Sequence, residues 1–179
     1  MATVPEGLIN REATVGDLTA VARIYAPYVL DSTSSFELTA PDVGEMQRRF
    51  AALRAAGLPY LVAVIDEQVV GYGYAGAYRS RPAYGDTVEN SVYLDRAWCG
   101  RGIGGALLPS LIERCEAGPW RQRIAVIADT GNIASIALHR RCRFERVGTL
   151  KSVGYKLGRW VDSVLMQRAL GPGDSNAPR

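Results

Sequence analysis

Three segments with the pattern of β-strands follow one another in the middle of this chain, with no helical segment between them. They cover residues 60–65, 69–78 and 87–94, and they are joined by a turn at 66–68 and a loop at 79–86. Strands joined by short connections run antiparallel. The sequence therefore argues against a purely parallel, doubly wound sheet.

Helical and strand-like segments flank this central run on both sides. Capping residues such as Thr14 and Asp17 mark where helices begin, and glycine or proline marks where they end. The predicted order is β-α-α-β-β-β-loop-α-β-α-β-β, which indicates an α/β protein with a mixed, largely antiparallel central sheet flanked by helices. The predicted outer segments are strands at 8–13, 123–128, 144–149 and 161–168, and helices at about 14–30, 39–57, 103–115 and 132–143.

Length and composition indicate an ordinary globular chain. Its 179 residues suit one domain, predicted over residues 1–170, and the polar segment 171–179 is predicted to be disordered. No apolar run approaches the roughly 20 residues that span a bilayer, and no secretory signal is apparent, so we expect a cytoplasmic protein without a membrane anchor. The net charge of +3 and the dispersed arginines do not favour nucleic-acid binding.

The cysteines Cys99, Cys115 and Cys142 show no CxxC spacing. Their odd number argues against a disulfide framework, and their spacing argues against zinc. The sequence therefore predicts reduced thiols and no metal site.

The stretch WCGRGIGG at residues 98–105 joins the third central strand to a helix. A glycine-rich turn at a helix start presents free backbone amides and the positive end of the helix dipole, which together bind phosphate oxygens. Glycine suits this place because a side chain would hold the ligand away from those amides. The spacing matches neither GxxxxGK[ST] nor GxGxxG. By itself, the stretch indicates either an anion site or a flexible turn.

The residues around this loop carry a specific resemblance. The runs SVYLDRAWCGRGIGGALLPSLIERCE and ASIALHRRCRF resemble the GNAT N-acetyltransferase superfamily, whose acetyl-coenzyme A (acetyl-CoA) motif, Gln/Arg-x-x-Gly-x-Gly/Ala, falls on residues 99–104. The runs RPAYGDTVENSVYL, NIASIALHRRCRF and VGYKLGRWVDSVLMQRAL are similar to its phosphinothricin and methionine sulfoximine N-acetyltransferase branch. The resemblance covers about residues 8–170. It implies a GNAT-like fold whose sheet is splayed at the cofactor site, and a homodimer.

The resemblance also implies how acetyl-CoA binds. Its pyrophosphate would lie on the loop amides, and its thioester carbonyl would accept a hydrogen bond from a backbone amide where the strands part. Asn132 matches an asparagine that contacts the cofactor, and a helix N-cap is the alternative role. The cofactor-binding residues implied in this way are Val92, Tyr93, Leu94, Gly100, Arg101, Gly102, Ile103, Gly104, Gly105 and Asn132.

Two titratable residues are candidates for catalysis. The branch has a glutamate at the position of Glu89, where a carboxylate could accept the ammonium proton directly or through water. The alternative for Glu89 is a strand carboxylate that faces solvent or pairs with an arginine. The branch has a histidine at the position of His139, and a neutral imidazole near the coenzyme sulfur could donate or relay a proton. The alternative for His139 is a packed, hydrogen-bonded helical residue.

The loop between the second and third central strands is the candidate for binding the acceptor. Arginine side chains there could hold a carboxylate or phosphinate bidentately, although a solvated surface charge is the alternative. Phe36 could supply an apolar wall. The substrate-binding residues proposed from the sequence are Phe36, Arg79, Pro82, Ala83 and Tyr84.

Two residues depart from the family pattern. Cys99 replaces the leading Gln or Arg of the motif, and a nucleophilic role is disfavoured because no activating base is evident. Arg143 stands where a glycine is usual, at a predicted left-handed helix end.

The resemblance implies direct acetyl transfer, in a ternary complex, to the amine of a small amino acid or an analogue such as phosphinothricin or methionine sulfoximine. Acetylation of protein N-termini or polyamines is a second enzymatic hypothesis. A catalytically weak module that senses coenzyme A is a third.

Overall fold

A computed structural model describes residues 4–178. In this part of the chain, seven strands and four α-helices follow in the predicted order. They are β1 (Ile9–Glu12), α1 (Leu18–Leu30), α2 (Val43–Ala55), β2 (Tyr60–Ile65), β3 (Gln68–Ala77), β4 (Thr87–Leu94), α3 (Ile103–Glu116), β5 (Gln122–Ala128), α4 (Ile133–Arg141), β6 (Glu145–Lys156) and β7 (Arg159–Ala169). Residues 1–3 of the predicted domain and Arg179 of the predicted tail lie outside the described residues.

The described strands form one sheet in the order β1-β2-β3-β4-β5-β7-β6. Every neighbouring pair is antiparallel except β4 and β5, which run parallel. The parallel pair arises because α3 lies between these two strands in the chain and returns the backbone to the same end of the sheet. The predicted mixed, largely antiparallel sheet is confirmed.

Helices cover both faces of the sheet. On the α1-α2 face, residues such as Leu18 pack against the tyrosines of β2 and β3. On the α3-α4 face, α3 buries a row of leucines that includes Leu111. Successive strand residues point to opposite faces, so β4 directs Val88 and Val92 toward α3 and Tyr93 toward α1.

Local hydrogen bonds determine where the first helices begin. The Asp17 carboxylate accepts from the Thr14 N–H at 2.7 Å, which confirms the predicted capping arrangement before α1. The sequence predicts that the second helix opens at Thr39. It begins after Asp42 instead, because the Asp42 carboxylate accepts from the Glu45 N–H at 2.7 Å and satisfies the helix start there.

The closing hairpin is longer than predicted. β6 and β7 pair from Glu145 and Gln167 to Lys156 and Arg159, beyond the expected 144–149 and 161–168. Two irregularities interrupt the register of β6, and such bulges break the regular alternation by which a strand is recognised. β6 is an edge strand of the sheet.

The remaining features concern single positions. Arg143 has φ +63°, as predicted for a left-handed helix end. Residues 171–174 form turns, and the Arg121 guanidinium lies 3.5 Å from the Gly173 carbonyl oxygen; the disorder of segment 171–179 stays a prediction. Among the described residues, no helix is long and apolar enough to cross a membrane, and no cluster of three metal-binding side chains occurs.

Candidate active site

The sheet opens between β4 and β5. The two strands pair over only three residues each, 87–89 with 122–124. Beyond these residues, β4 stays paired with β3 and β5 stays paired with β7. A cleft of about 620 Å³ lies between the parted strands, and the turn before α3 and the start of α4 contribute to its walls. The predicted splay of the sheet is confirmed.

Backbone amides of β4 face this gap. The Asp95 N–H donates to the Val70 carbonyl of β3 at 2.8 Å. Because N–H groups of successive strand residues point to alternate sides, those of Val92 and Leu94 face the gap, whereas that of Tyr93 faces β3. All three residues line the cleft, but only two of them offer it a backbone donor.

Glycines shape the turn that precedes α3. Gly100 and Gly102 both have φ +78°, a conformation that costs an L side chain about 1–2 kcal/mol. Gly102 is the N-cap, and the first hydrogen bond of the helix runs from the Ala106 N–H to the Gly102 carbonyl at 3.2 Å. Since the first N–H groups of a helix have no partner within it, the amides of this turn are available to an anion.

The other residues of the turn have different surroundings. A Cβ at Gly105 would meet no atom within 4 Å, whereas one at Gly104 would lie 3.2 Å from Leu138 of α4. Ile103 is fully buried in the core. The Arg101 guanidinium lies over the Trp98 ring, 4.9 Å from its centroid, and Arg101 does not line the cleft. The pattern fits a cradle of backbone donors in which the Arg101 side chain takes no direct part.

Asn132 stands at the start of α4, where its side chain accepts from the Ser135 N–H at 3.2 Å. The N-cap role is therefore observed. Asn132 also lines the cleft, so the predicted contact with the cofactor is compatible with that role.

His139 lies in the wall of the cleft and is only 4% exposed. Its Nε2 lies 3.0 Å from Asn90 Nδ2, and its Nδ1 lies 2.8 Å from the Ser135 carbonyl oxygen. Burial lowers the pKa of His139 to about 4, and the nearby Arg123 charge adds to the lowering. The imidazole is therefore neutral at physiological pH, and both of its nitrogens have protein partners.

Glu89 lies on the other face of the sheet. It is the last residue of β4 that pairs with β5, and strand alternation places it on the α1-α2 face with Tyr93. The side chain is half-buried, and burial raises its pKa. Salt bridges in the described part of the chain do not include Glu89. The carboxyl group is thus placed at the parting of the strands without an arginine partner.

A second cavity, of about 440 Å³, lies on the α1-α2 face. The Tyr74 ring is part of its wall, and Tyr74 pairs in register with Ser91 of β4. Arg49 also lines the cavity and is held by Glu37 at 2.7 Å. The remaining lining residues are Tyr25, Met46, Ala52, Leu53, Ala56, Leu58, Tyr60, Tyr72 and Ala77.

The predicted acceptor loop lies apart from the cleft. Its residues Arg79, Pro82, Ala83 and Tyr84 are exposed and do not line the cleft, because the loop joins β3 to the end of β4 opposite the parting. The Arg79 guanidinium stacks on Tyr84, 5.6 Å from its ring centroid. Within the described chain, these residues and Glu89 are therefore not brought into one pocket.

Phe36 lies in a loop that is fastened to two distant segments. Its ring lies against Gly154 of β6, where a Cβ would come within 2.7 Å of the ring. Lys156 donates to the Ser35 carbonyl at 2.6 Å, and the Thr33 hydroxyl donates to Asp129 at 2.8 Å. The loop therefore has a defined position beside the start of α4.

Several residues of the site were not predicted. Tyr28 donates its hydroxyl to the Leu94 carbonyl at 2.6 Å and lines the cleft. Asn90 and Arg123 form the surroundings of His139. No local pattern marks such residues, because a lone polar side chain in a helix or strand has the same local signature whether it is buried or exposed. Only the aromatic alternation of β3 hinted at Tyr74.

Comparison with known proteins identifies the family. The sequence profile described as "Acetyltransferase (GNAT) domain" matches residues 11–165. The chain belongs to the GNAT acetyltransferase family. The predicted superfamily is thereby confirmed.

Relatives of this GNAT domain support the predicted branch. The chain is 53% identical over 162 residues to the phosphinothricin N-acetyltransferase of Alcaligenes faecalis, with 90% of this chain and 82% of the relative covered. It is 40% identical to the L-methionine sulfoximine/L-methionine sulfone acetyltransferase of Pseudomonas paraeruginosa, with 90% and 94% covered. A crystal structure of a GNAT phosphinothricin acetyltransferase from Sinorhizobium meliloti with acetyl-CoA superposes with TM-score 0.93 at 43% identity, covering 97% and 94%.

The residues of this GNAT domain fit acetyl-CoA. The turn before α3 offers free amides, and a Cβ at Gly100 would meet no atom within 4 Å, so the cradle is open to a ligand. Cys99, at the leading position of the motif, is exposed at the edge of the cleft with its Sγ 3.8 Å from Tyr28 Oη. Its replacement of Gln or Arg leaves the backbone donors in place.

Proposed function

We propose that this chain transfers the acetyl group of acetyl-CoA directly to the amine of a small amino acid or an analogue of the phosphinothricin or methionine sulfoximine type. The observation that carries the proposal is the parting of β4 and β5, which places an anion-binding helix start on one side of the sheet and an unpaired, half-buried carboxyl on the other. The names of the close relatives support the substrate class.

The cofactor side would use backbone donors. The amides of residues 100–105 would bind the pyrophosphate, and the N–H of Val92 would donate to the thioester carbonyl, where negative charge develops. Asn132 would contact the cofactor from the start of α4. Acetyl-CoA supplies the activated acetyl group, and the chain supplies its position in the cleft.

Glu89 would act as the general base. The attacking amine must lose its ammonium proton, and a carboxyl whose pKa is raised by burial accepts that proton more readily than an ordinary glutamate. His139 would border the sulfur end of the cleft as a neutral imidazole. On the acceptor side, Phe36 would supply an apolar wall. The loop residues Arg79, Pro82, Ala83 and Tyr84 lie at the opposite end of β4 from the parting, so they are left out of the proposed acceptor site.

Two further properties belong to the proposal. A homodimer is supported by the edge strand β6, which exposes more than half of the Val153 and Tyr155 side chains. A cytoplasmic location is supported by the free thiols of Cys99, Cys115 and Cys142, which are typical of a reducing compartment. Sedimentation analysis of the wild type and of Val153→Lys tests the first property, and cell fractionation tests the second.

The decisive experiment measures release of the coenzyme A thiol with a panel of amines. We expect turnover with phosphinothricin or methionine sulfoximine, and a loss of about 10²- to 10⁴-fold in kcat for Glu89→Gln. Glu113→Gln, on the exposed surface of α3, is the matched control. Acetylation of polyamines or peptide N-termini alone would overturn the substrate class, and full activity of Glu89→Gln would overturn the base.

A further inference from the structure

Arg123 of β5 is a buried cation without a carboxylate partner. It is 0% exposed. Its Nε donates to Asn90 Oδ1 at 3.1 Å, and its Nη1 lies 3.6 Å from the Cys115 sulfur. Its Nη2 has no hydrogen-bond partner among the described residues. A guanidinium in this position is costly to bury, so its hydrogen bonds merit a functional explanation.

The hydrogen bonds that start at Arg123 have only one consistent direction. A guanidinium nitrogen only donates, so the Asn90 atom that faces it must be the carbonyl oxygen. The Asn90 nitrogen therefore faces His139 Nε2, at 3.0 Å. A carboxamide nitrogen also only donates, so Nε2 must accept. The histidine proton then resides on Nδ1, 2.8 Å from the Ser135 carbonyl oxygen that accepts it.

We propose that Arg123 is a positioning residue for acetyl transfer: it orients the Asn90 carboxamide from inside the core, and Asn90 fixes the tautomer of His139 at the cofactor cleft. The first part of the proposal, the orientation of Asn90 and the tautomer of His139, depends on hydrogen bonding alone. The link to catalysis rests on the proposed function, because Asn90 and His139 both line the cleft in which the thioester would lie.

The arrangement has a chemical consequence for the cleft. With Nε2 accepting and Nδ1 donating to Ser135, His139 has no free N–H with which to protonate a departing thiolate. Asn90 keeps one amide hydrogen beyond the one that it donates to His139. His139 thus holds a neighbouring donor in place rather than serving as the acid. Without Arg123, the Asn90 amide could turn over and the imidazole could adopt the other tautomer.

Nuclear magnetic resonance can test the first part directly, because His139 is the only histidine of the 179-residue chain. The nitrogen chemical shifts of a tag-free, ¹⁵N-labelled protein report the tautomer. We expect the Nδ1–H form in the wild type and a mixture of tautomers in Arg123→Met. Arg168→Met is the matched control. Arg168 lies on β7, where it pairs in register with Arg123 of β5, but its side chain bonds to Glu116 and to the Cys142 carbonyl and not to Asn90.

Asn90→Asp separates positioning from structural support. The new carboxylate gives Arg123 a counter-ion, so we expect the melting temperature to be retained or raised. It cannot donate to His139, so the histidine must carry its proton on Nε2 or become charged. The groups that face the imidazole are Arg123 on β5, the Ser135 carbonyl on α4 and the ring of Phe144. We expect the histidine pKa to rise.

Steady-state kinetics then test whether the tautomer of His139 affects the rate of acetyl transfer. We expect kcat to fall about tenfold in both Arg123→Met and Asn90→Asp, with little change in the KM for acetyl-CoA. Unaltered histidine shifts in Arg123→Met would overturn the proposal, and so would normal kcat in Asn90→Asp. A protein that acetylates none of the amines would refute the proposed function and leave the tautomer result standing, so the two failures are distinguishable.

Discussion

The two faces of the parted sheet are built from different parts of the chain. On the α3-α4 face, the proposed cofactor cradle consists of backbone N–H groups from β4 and from the turn at residues 100–105, which follow closely in sequence. On the α1-α2 face, side chains from separate elements form the site: Tyr74 of β3 lines the second cavity, and Glu89, the proposed base, lies on β4. A backbone site depends on conformation, whereas a side-chain site depends on packing.

This difference explains why the two faces are unequally visible in the sequence. Backbone donors require glycines at fixed spacing, because only glycine adopts φ +78° at Gly100 and Gly102 without strain. A side-chain site has no such local requirement. The two faces should therefore respond to different substitutions.

The largest effect is expected from Gly102→Val, which should weaken the cofactor face and leave the acceptor face unchanged. A branched residue at φ +78° is strained by about 1–2 kcal/mol or more, and this strain would distort the turn whose amides are proposed to bind the pyrophosphate. We expect acetyl-CoA to bind at least about tenfold more weakly in calorimetry. Gly57→Val is the control, since Gly57 has φ +71° at the far end of α2. Equal losses of affinity in both variants would show that the cradle is not specific.

Acidic pH should lower the stability of the α1-α2 face, because the carboxylate of Asp17 holds the start of α1. Hydrogen bonds from Arg11 lower the pKa of Asp17 to about 2, from an ordinary value of 3.8. A carboxylate with a depressed pKa stabilises the fold above its unfolded pKa, and this contribution disappears as the pH falls through about 2.

Asp17→Asn should therefore cost about 1–2 kcal/mol at pH 7, after allowance for the solvent-exposed Arg11 partner. Denaturant unfolding at several pH values measures the difference from wild type, which should shrink below about pH 4. Asp42→Asn, at a cap without an ion pair in the described chain, should cost little. A difference that does not depend on pH would contradict this account.

Tyr74→Phe should affect the acceptor side alone. The substitution removes a hydroxyl from the wall of the second cavity, which lies on the same face of the sheet as Glu89, and we expect the KM for the amine to rise about fivefold. The dissociation constant of acetyl-CoA should not change, because Tyr74 lies on the other face. Tyr155→Phe on the exposed edge strand is the control. Weaker acetyl-CoA binding in Tyr74→Phe would show that the two faces do not bind cofactor and acceptor separately.

Cys99→Gln should have the smallest effect. It restores a residue type of the family motif without altering the backbone donors, so we expect acetyl-CoA to bind about twofold more tightly. Cys99→Ser controls for loss of the thiol. Binding that is weakened in Cys99→Gln would indicate that the cysteine itself contributes to the cleft.

Sequence patterns predicted much of the fold but less of the site. The order of elements, the strand that carries Glu89 and the helix that opens at Gly102 all depend on signals within a few residues. Those signals did not reveal that β6 extends to Lys156, because its register is interrupted twice. They also did not reveal that Arg123 is fully buried or that Arg79 lies outside the cleft.

The sequence by itself determined the local features of this protein: the periodicity of its helices and strands, the cap before α1 and the glycine turn. These features need only neighbouring residues. Tertiary structure alone decided that β4 and β5 pair over only three residues each, and that His139 is joined to Arg123 through Asn90. The physical reason is that strand pairing and burial depend on contacts between segments far apart in the chain, which no local pattern encodes.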